Sequence, residues 1–303
     1  MINNLSIGEK KYIIEGIDDG IRCDGRGLSD YRSISIENDI FPHLNGSSRI
    51  KIADETDVIC SIKVEVLEIN NNNNNTNNAK DTNLIEVNVE FSSSYNLKID
   101  ERRLSDHGNL LAKELQSIYI ESNTIDMNSL CIIPNKFYWV IYIDVCILKL
   151  DGIAIDVCSL AALVALQCTK IPKVDLCVED DFTISSDLSE ATRLDVSNVP
   201  TIISISKIGK RRLFDVTSDE RSCSSYIISI AINWRGACCG ILKHLCGSIN
   251  VAEINDIMNE ANVAGQSIFK KIDEYYRSLS IINKTDPSGL YSDVPPLRIG
   301  LLR

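Results

Sequence analysis

The run from Phe137 to Cys168 limits what this chain can become more than any other part of it. Phe137–Leu150 is almost continuously apolar and rich in β-branched and aromatic residues, which reads as a buried strand. Asp151-Gly152 then turns the chain into Ile153–Thr169, apolar on nearly every side and so a helix without a solvent face. The same run cannot cross a bilayer, because Asp144, Lys149, Asp151 and Asp156 interrupt it. The first residues, Met-Ile-Asn-Asn-Leu-Ser, also lack the apolar core of a secretory signal. No membrane partner is expected.

Around this unit the periodicity alternates between two types. Residues 5–19 form an amphipathic helix pattern, broken by the glycines and charges of Ile21–Gly27. Ser33–Glu37, Arg49–Ile52 and Val58–Val64 alternate apolar and polar residues, as half-buried strands do. An Asn-rich tract at 70–78 has nothing apolar to bury and is expected to be a disordered loop, after which Leu84–Phe91 resumes the alternation. Leu104, Leu111, Leu115 and Ile118 share one stripe of a helix over 104–120. Strands are predicted at 200–208, 211–217 and 223–234, then a long helix from about 250 to 280 that starts at Asn250 with Glu253 in a capping-box-like arrangement.

With 303 residues there is material for more than one ordinary domain. The element order predicts an α+β protein in two linked α/β halves. The expected division is an N-terminal helix and arm over 1–30, a first domain over 31–172 containing a disordered loop at 70–80, a linker at 173–198, a second domain at 199–283 and a tail at 284–303.

The net charge of −11 excludes the broad basic face of an autonomous nucleic-acid binder, so any RNA contact must use a local patch or a larger assembly. Eleven cysteines without a Cys-x-x-Cys pair read as buried, reduced thiols of the cytosol or nucleus. His43, His107 and His244 lie too far apart for zinc-ligand spacing. Phosphate-loop, dinucleotide, metalloprotease and serine-hydrolase signatures are missing, and no metal or cofactor is expected.

Several segments, in order, resemble the RNase PH family: Arg22-x-Asp24-Gly25-Arg26, Gly46-Ser47-Ser48-Arg49, Thr56-Asp57-Val58, and Trp139 through Asp144, Asp151-Gly152 and Asp156 to Leu166. The second half adds Leu194–Pro200, Lys207-Ile208-Gly209, Asp215-Val216-Thr217 and Glu220–Cys223. Ala53–Thr56 departs from the family pattern, where a Gly and one residue fewer imply a different turn. The resemblance implies an RNase PH-like fold, akin to the second domain of ribosomal protein S5. Within the family the likeness is to the non-catalytic ring subunits of the eukaryotic RNA exosome. That implies partners in other RNase PH-like ring subunits, in cap subunits with S1 or KH domains, and in RNA held by the complex, in nucleus (nucleolus included) and cytoplasm.

Active members of the family degrade RNA from its 3′ end by phosphorolysis. Their phosphate site is a Gly-Thr-Arg-Thr-like run at a helix N-terminus, where backbone N–H groups favour anions. The matching residues here are Ile153-Ala154-Ile155-Asp156. A carboxylate ~4 Å from a phosphate, at an effective dielectric near 20, costs roughly 4 kcal/mol for each like-charge pair. Asp156 itself is expected to stabilise the first helical turn. The Asp-x-Asp pair of active relatives matches Ser225-Tyr226-Ile227, while Asp215 and Glu220 match structural positions. No catalytic residue is therefore expected in this chain. The alternative is an active phosphate-dependent exoribonuclease whose site is completed at a subunit interface, and a plainer one is a binding module that uses the fold for something else.

Two basic clusters remain. Arg102-Arg103, expected in the loop before the 104–120 helix, are the RNA-binding candidates; otherwise they are a solvated pair beside Glu101. Lys207, Lys210, Arg211 and Arg212 read as a solvated hairpin tip, with a protein contact as the other possibility.

Overall fold

The computed structural model describes residues 5–68, 83–92, 100–122, 124–126, 129–134, 136–176, 182–185, 190–285 and 297–299. The Asn-rich tract, Cys177 and most of the 284–303 tail lie outside them.

In chain order, α1 (Ile7–Asp18) leads to β1 (Ile34–Asn38), β2 (Gly46–Ile52), β3 (Thr56–Glu68) and β4 (Ile85–Phe91). Then come α2 (Glu101–Glu121), β5 (Cys131–Ile133), β6 (Phe137–Lys149) and α3 (Ala154–Cys168). Four short strands follow, β7 (Lys170–Ile171), β8 (Val174–Leu176), β9 (Phe182–Ile184) and β10 (Thr192–Arg193). The chain continues through β11 (Thr201–Ile208), β12 (Arg211–Phe214), α4 (Ser218–Ser222), β13 (Tyr226–Ile232), β14 (Cys238–His244), α5 (Val251–Thr285) and β15 (Leu297–Ile299). The α+β fold is thus as expected.

A seven-stranded sheet runs β15-β1-β2-β3-β6-β4, with β5 alongside β6. Every pairing is antiparallel except β4 with β6. Register places Cys60 opposite Val145, Ile62 opposite Ile143, and Val87 beside Ile143, all on the buried face. The strand alternation read from the sequence therefore has one covered and one open face. A second sheet of four antiparallel strands runs β12-β11-β13-β14. β14 is absent from the strands that the periodicity predicts: its residues are exposed or only half-buried, as on a sheet edge, so no clean period marks it.

The helix α3 explains the apolar run. It packs on β2 and β3 of the large sheet and on β11 of the small one, and twelve of its residues from Ala154 to Leu166 are buried. Each sheet also holds it by a polar contact. The Ser48 hydroxyl on β2 donates to the Ala161 carbonyl (2.7 Å), and the Ile202 N–H on β11 donates to the Ser159 hydroxyl (2.9 Å). Gly46 opens β2 because the approach is so close that a Cβ there would stand 2.6 Å from the Ala165 carbonyl oxygen. One hydrophobic cluster runs through both halves.

Three expectations are corrected. First, no strand is predicted within 173–198, which contains β8 paired with β9 and also β10, paired with β7. Second, among the described cysteines, all free, only Cys60, Cys158 and Cys168 are buried; Cys23, Cys238 and Cys246 are exposed, because they sit in turns and on the edge strand. Third, α2 starts at Glu101 and not at 104, since Asp100 caps it by accepting the Arg102 N–H. The long helix begins as expected, with the Asn250 side chain accepting from the Ala252 N–H. No described helix is long and apolar enough to cross a membrane.

Candidate functional site

The turn between β6 and α3, where the resemblance locates a phosphate site, is filled by the chain's own charges. Gly152 adopts φ +97°, and a Cβ there would fall 2.1 Å from the Val216 carbonyl oxygen. Only glycine fits. Asp151 accepts the Ser218 N–H (2.9 Å) and an Arg32 guanidinium N–H (2.7 Å). Arg32 also reaches both Asp215 carboxylate oxygens (3.0 and 2.7 Å), and Arg26 adds a third cationic contact to Asp215 (2.9 Å). Burial pushes the Asp215 carboxyl up, and the hydrogen bonds and charge of Arg32, with the charge of Arg26, reverse this and leave it below its ordinary value.

Arg22 completes the clamp. Its guanidinium binds Glu220 through two contacts (2.9 and 2.7 Å) and also donates to the Phe214 and Asp215 carbonyls. Glu220 doubles as the capping-box residue of α4, accepting the Thr217 N–H. The Arg-x-Asp-Gly-Arg segment thus ties the N-terminal arm to the second sheet. Asp215 and Glu220 hold arginines rather than facing an open cleft.

The first turn of α3 carries no side-chain cap, and Ala154 and Ile155 are buried. Asp156 lies in that turn as expected, but its carboxylate points into the interior, where it accepts the Ser204 backbone N–H (3.0 Å) and hydroxyl. It joins α3 to β11 instead of capping the helix. Burial, against the Ser204 bonds and with the nearby charge of Asp215, pushes its carboxyl up to about 7. Beside it, Tyr31, Arg32, Asp156 and Asp215 line a cavity of about 30 Å³, the size of one water molecule. At the matched acid positions, Ser225 donates its N–H to the Lys207 carbonyl, the Tyr226 hydroxyl donates to Glu253, and Ile227 is buried. Among the described residues no cluster of three His, Cys, Asp or Glu side chains could hold a metal.

Arg102 and Arg103 are placed in the first turn of α2, not in a loop, and both are exposed. Cations at a helix N-terminus oppose its dipole, which Asp100 and Glu101 partly offset. Within two turns, His107 stacks on Phe91 with ring centroids 5.4 Å apart. Farther along α2, Glu114 lies 3.8 Å from His244 of β14. Burial first, then the Arg221 charge, holds both imidazoles below their ordinary value, so this contact is not an ion pair at neutral pH. Arg221 in turn donates to the Gly152 carbonyl (3.0 Å). Exposed arginines, two imidazoles and Arg221 therefore lie between the start of α2 and the Asp151-Gly152 turn. Spacing along the sequence gives no hint of the two histidines, because 137 residues separate them; the packing of α2 on β14 is what joins them.

In the second basic cluster Lys210 and Arg211 are exposed, as at a solvated hairpin tip, while the other two are engaged. Lys207 pairs with Glu253 and Arg212 with Glu260, around a hairpin whose Gly209 has φ +53°. At the turn that departs from the family's sequence pattern, Ala53 has φ +48°, and Glu55 reaches Arg32 (3.2 Å).

Comparison with known proteins gives the same result in three ways. The model of the 3′ exoribonuclease family, domain 1, matches residues 30–172. Two proteins named exosome complex component Rrp42 are similar over most of the chain. That of Saccharolobus solfataricus is 31% identical over 92% of this chain and 97% of its own. That of Sulfurisphaera tokodaii is 30% identical over 89% and 95%. A Dictyostelium discoideum protein, provisionally named exosome complex exonuclease RRP42, is 28% identical over 92% of this chain and all of its own. The fold is also similar to a chain of an archaeal exosome core, with TM-score 0.69, 22% identity and coverage of 88% and 96%. A chain of the Archaeoglobus fulgidus exosome with RNA bound to the active site gives TM-score 0.72, 22% identity and coverage of 87% and 97%.

Proposed function

The chain belongs to the Rrp42 family of exosome components, and from that premise we propose that it is a non-catalytic ring subunit supporting 3′-to-5′ RNA processing and degradation. Its partners are other RNase PH-like ring subunits, cap subunits with S1 or KH domains, and RNA held by the assembled complex. Its place is the nucleus, nucleolus included, and the cytoplasm. The units 31–172 and 199–283 act as its two domains, joined through 173–198.

One observation carries the inert reading. Where a phosphate would be held, Ile153, Ala154 and Ile155 offer no side-chain donor, and the Asp156 carboxylate is committed to Ser204. Phosphorolysis needs donors for the attacking phosphate and an acid or metal for the leaving oxygen. The side chains of Ser225, Tyr226 and Ile227 supply no carboxylate. The role left to this chain is to complete the ring and present RNA, with Arg102 and Arg103 as the phosphate-contacting residues on its exposed rim.

The test is phosphate-dependent release of nucleoside diphosphates from a 3′-labelled RNA by the purified chain and by the complex it purifies with. The chain alone releases none. Release by the chain alone overturns the inert reading, and release shown only by the complex and abolished by Asp156→Asn in this chain supports the alternative, an active exoribonuclease with its site completed at a subunit interface.

A further inference from the structure

A groove of about 600 Å³ opens between α5, the β13–β14 turn and the C-terminal end of α3, and neither Arg102 nor Arg103 lines it. Gln167, Val196, Trp234, Phe269, Lys270 and Tyr276 are among its lining residues. From this groove we infer a binding pocket for one unstacked nucleobase of a single-stranded RNA, separate from the arginine rim proposed above.

Three features point to that ligand. First, Trp234 is 53% exposed at the tip of a β-hairpin, where a large aromatic ring has no role in the core. Its turn is fixed by the Asn233 side chain, which accepts from the Arg235 and Ala237 N–H groups, and by Gly236 at φ +79°. The backbone that carries the ring is therefore set before any ligand arrives. Arg235 lies over it at 5.6 Å, so one face already carries a cation. Second, Phe269 and Tyr276 add aromatic wall, and Tyr276 is anchored by its hydroxyl contacts with Val164 and Cys168. Third, Gln167 lines this groove, and its Oε1 atom, turned away from solvent, has no hydrogen-bond partner among the described residues, so it gains one only when the side chain turns toward a ligand.

Rigid aromatic surface binds any base through its π-face. An acceptor there takes either an exocyclic amine, as in adenine or cytosine, or the ring N3–H of uracil. Lys270 on the rim and Arg235 over the ring supply charge for the flanking phosphates. The one rim carboxylate, Asp273, is paired with Arg277 at 2.6 Å. An aliphatic peptide anchor would leave the Gln167 acceptor unpaired, which disfavours it.

The two tryptophans make the test direct, because Trp139 is only 5% exposed and Trp234 reports alone. The full chain is titrated with adenosine monophosphate and with five-nucleotide RNAs of adenylate, cytidylate or uridylate, following quenching of the exposed tryptophan. Saturable quenching is expected with adenylate, cytidylate and uridylate alike, because the aromatic wall and one acceptor serve every base. Gln167→Leu removes the acceptor and weakens every base by about five- to tenfold. Lys270→Glu, on the groove rim and outside the buried core, weakens every oligonucleotide. The double variant Arg102→Ala/Arg103→Ala leaves quenching unchanged, which separates this pocket from the rim. Absence of quenching by any nucleotide overturns the inference, as does saturation by an apolar or arginine-bearing peptide in its place. Loss of quenching in the double variant overturns it too, by assigning the signal to the rim.

Discussion

Asp156 and Ser204 are joined by two hydrogen bonds across the contact of α3 with β11, from the Ser204 backbone N–H and from its hydroxyl. Ser204 is itself in contact with the Ser229 hydroxyl at 2.6 Å, so the carboxyl ends a short polar chain through both central strands of the small sheet. A side chain that would crowd an incoming phosphate serves here as a tie between the two halves.

Burial of that carboxyl, which the Ser204 bonds only partly offset, makes stability pH-dependent in a definite direction. The Asp156 carboxyl titrates at about 7 in the folded protein, against 3.8 for the free side chain. Its folded value is raised, so its contribution is fully present below about pH 4 and is lost as pH rises toward 7. At 1.36 kcal/mol per pH unit the window is worth up to about 4 kcal/mol. Asp156→Asn removes this slope. Urea denaturation between pH 4 and 8 is expected to give a wild-type minus variant difference that falls with pH and levels off above 7. A flat difference would contradict it.

Arg22 and Glu220 form a buried ion pair, with side chains essentially inaccessible. Removing one partner leaves the other charge unpaired in the interior, which costs about 3–5 kcal/mol. Arg22→Ala is expected to lose that much in chemical denaturation, and Arg22→Met with Glu220→Leu to recover a large part of it. A loss under about 1 kcal/mol in the single variant would mean that the arm is not clamped as described.

Arg102 and Arg103 are exposed and make no ion pair among the described residues. Their replacement by alanine leaves the unfolding midpoint in place and weakens RNA capture by the assembled complex. Removing two cations that each neutralise one phosphate of a single strand lowers the slope of log affinity against log salt by about 1.4. An unchanged slope would assign the pair to solvent.

Much of the fold was legible because burial leaves a periodic trace. The strand–turn–helix of β6 and α3 and the long helix α5, which buries Ile257, Ala261, Ile268 and Ile272, stand where the sequence indicates. The start of α2 is hidden because its first apolar residue is Leu104, while its cap is the polar Asp100. The site was legible only in part. Arg22, Asp24 and Arg26 are visible as a local pattern, but their partners Asp215 and Glu220 lie some 190 residues away. Local spacing holds no information on such pairs. The same holds for His107 and His244, and for Trp234 with Gln167, each joined only by the packing of helices on strands.

The central claim is that this chain completes a ring without doing chemistry. The most direct measurement is release of nucleoside diphosphate from RNA in the presence of phosphate, compared between the purified chain and its native complex resolved by mass spectrometry. A hetero-oligomer of distinct RNase PH-like subunits, with no diphosphate released by the single chain, is the expected result. Diphosphate released by the chain alone, and abolished on removing phosphate, would contradict it.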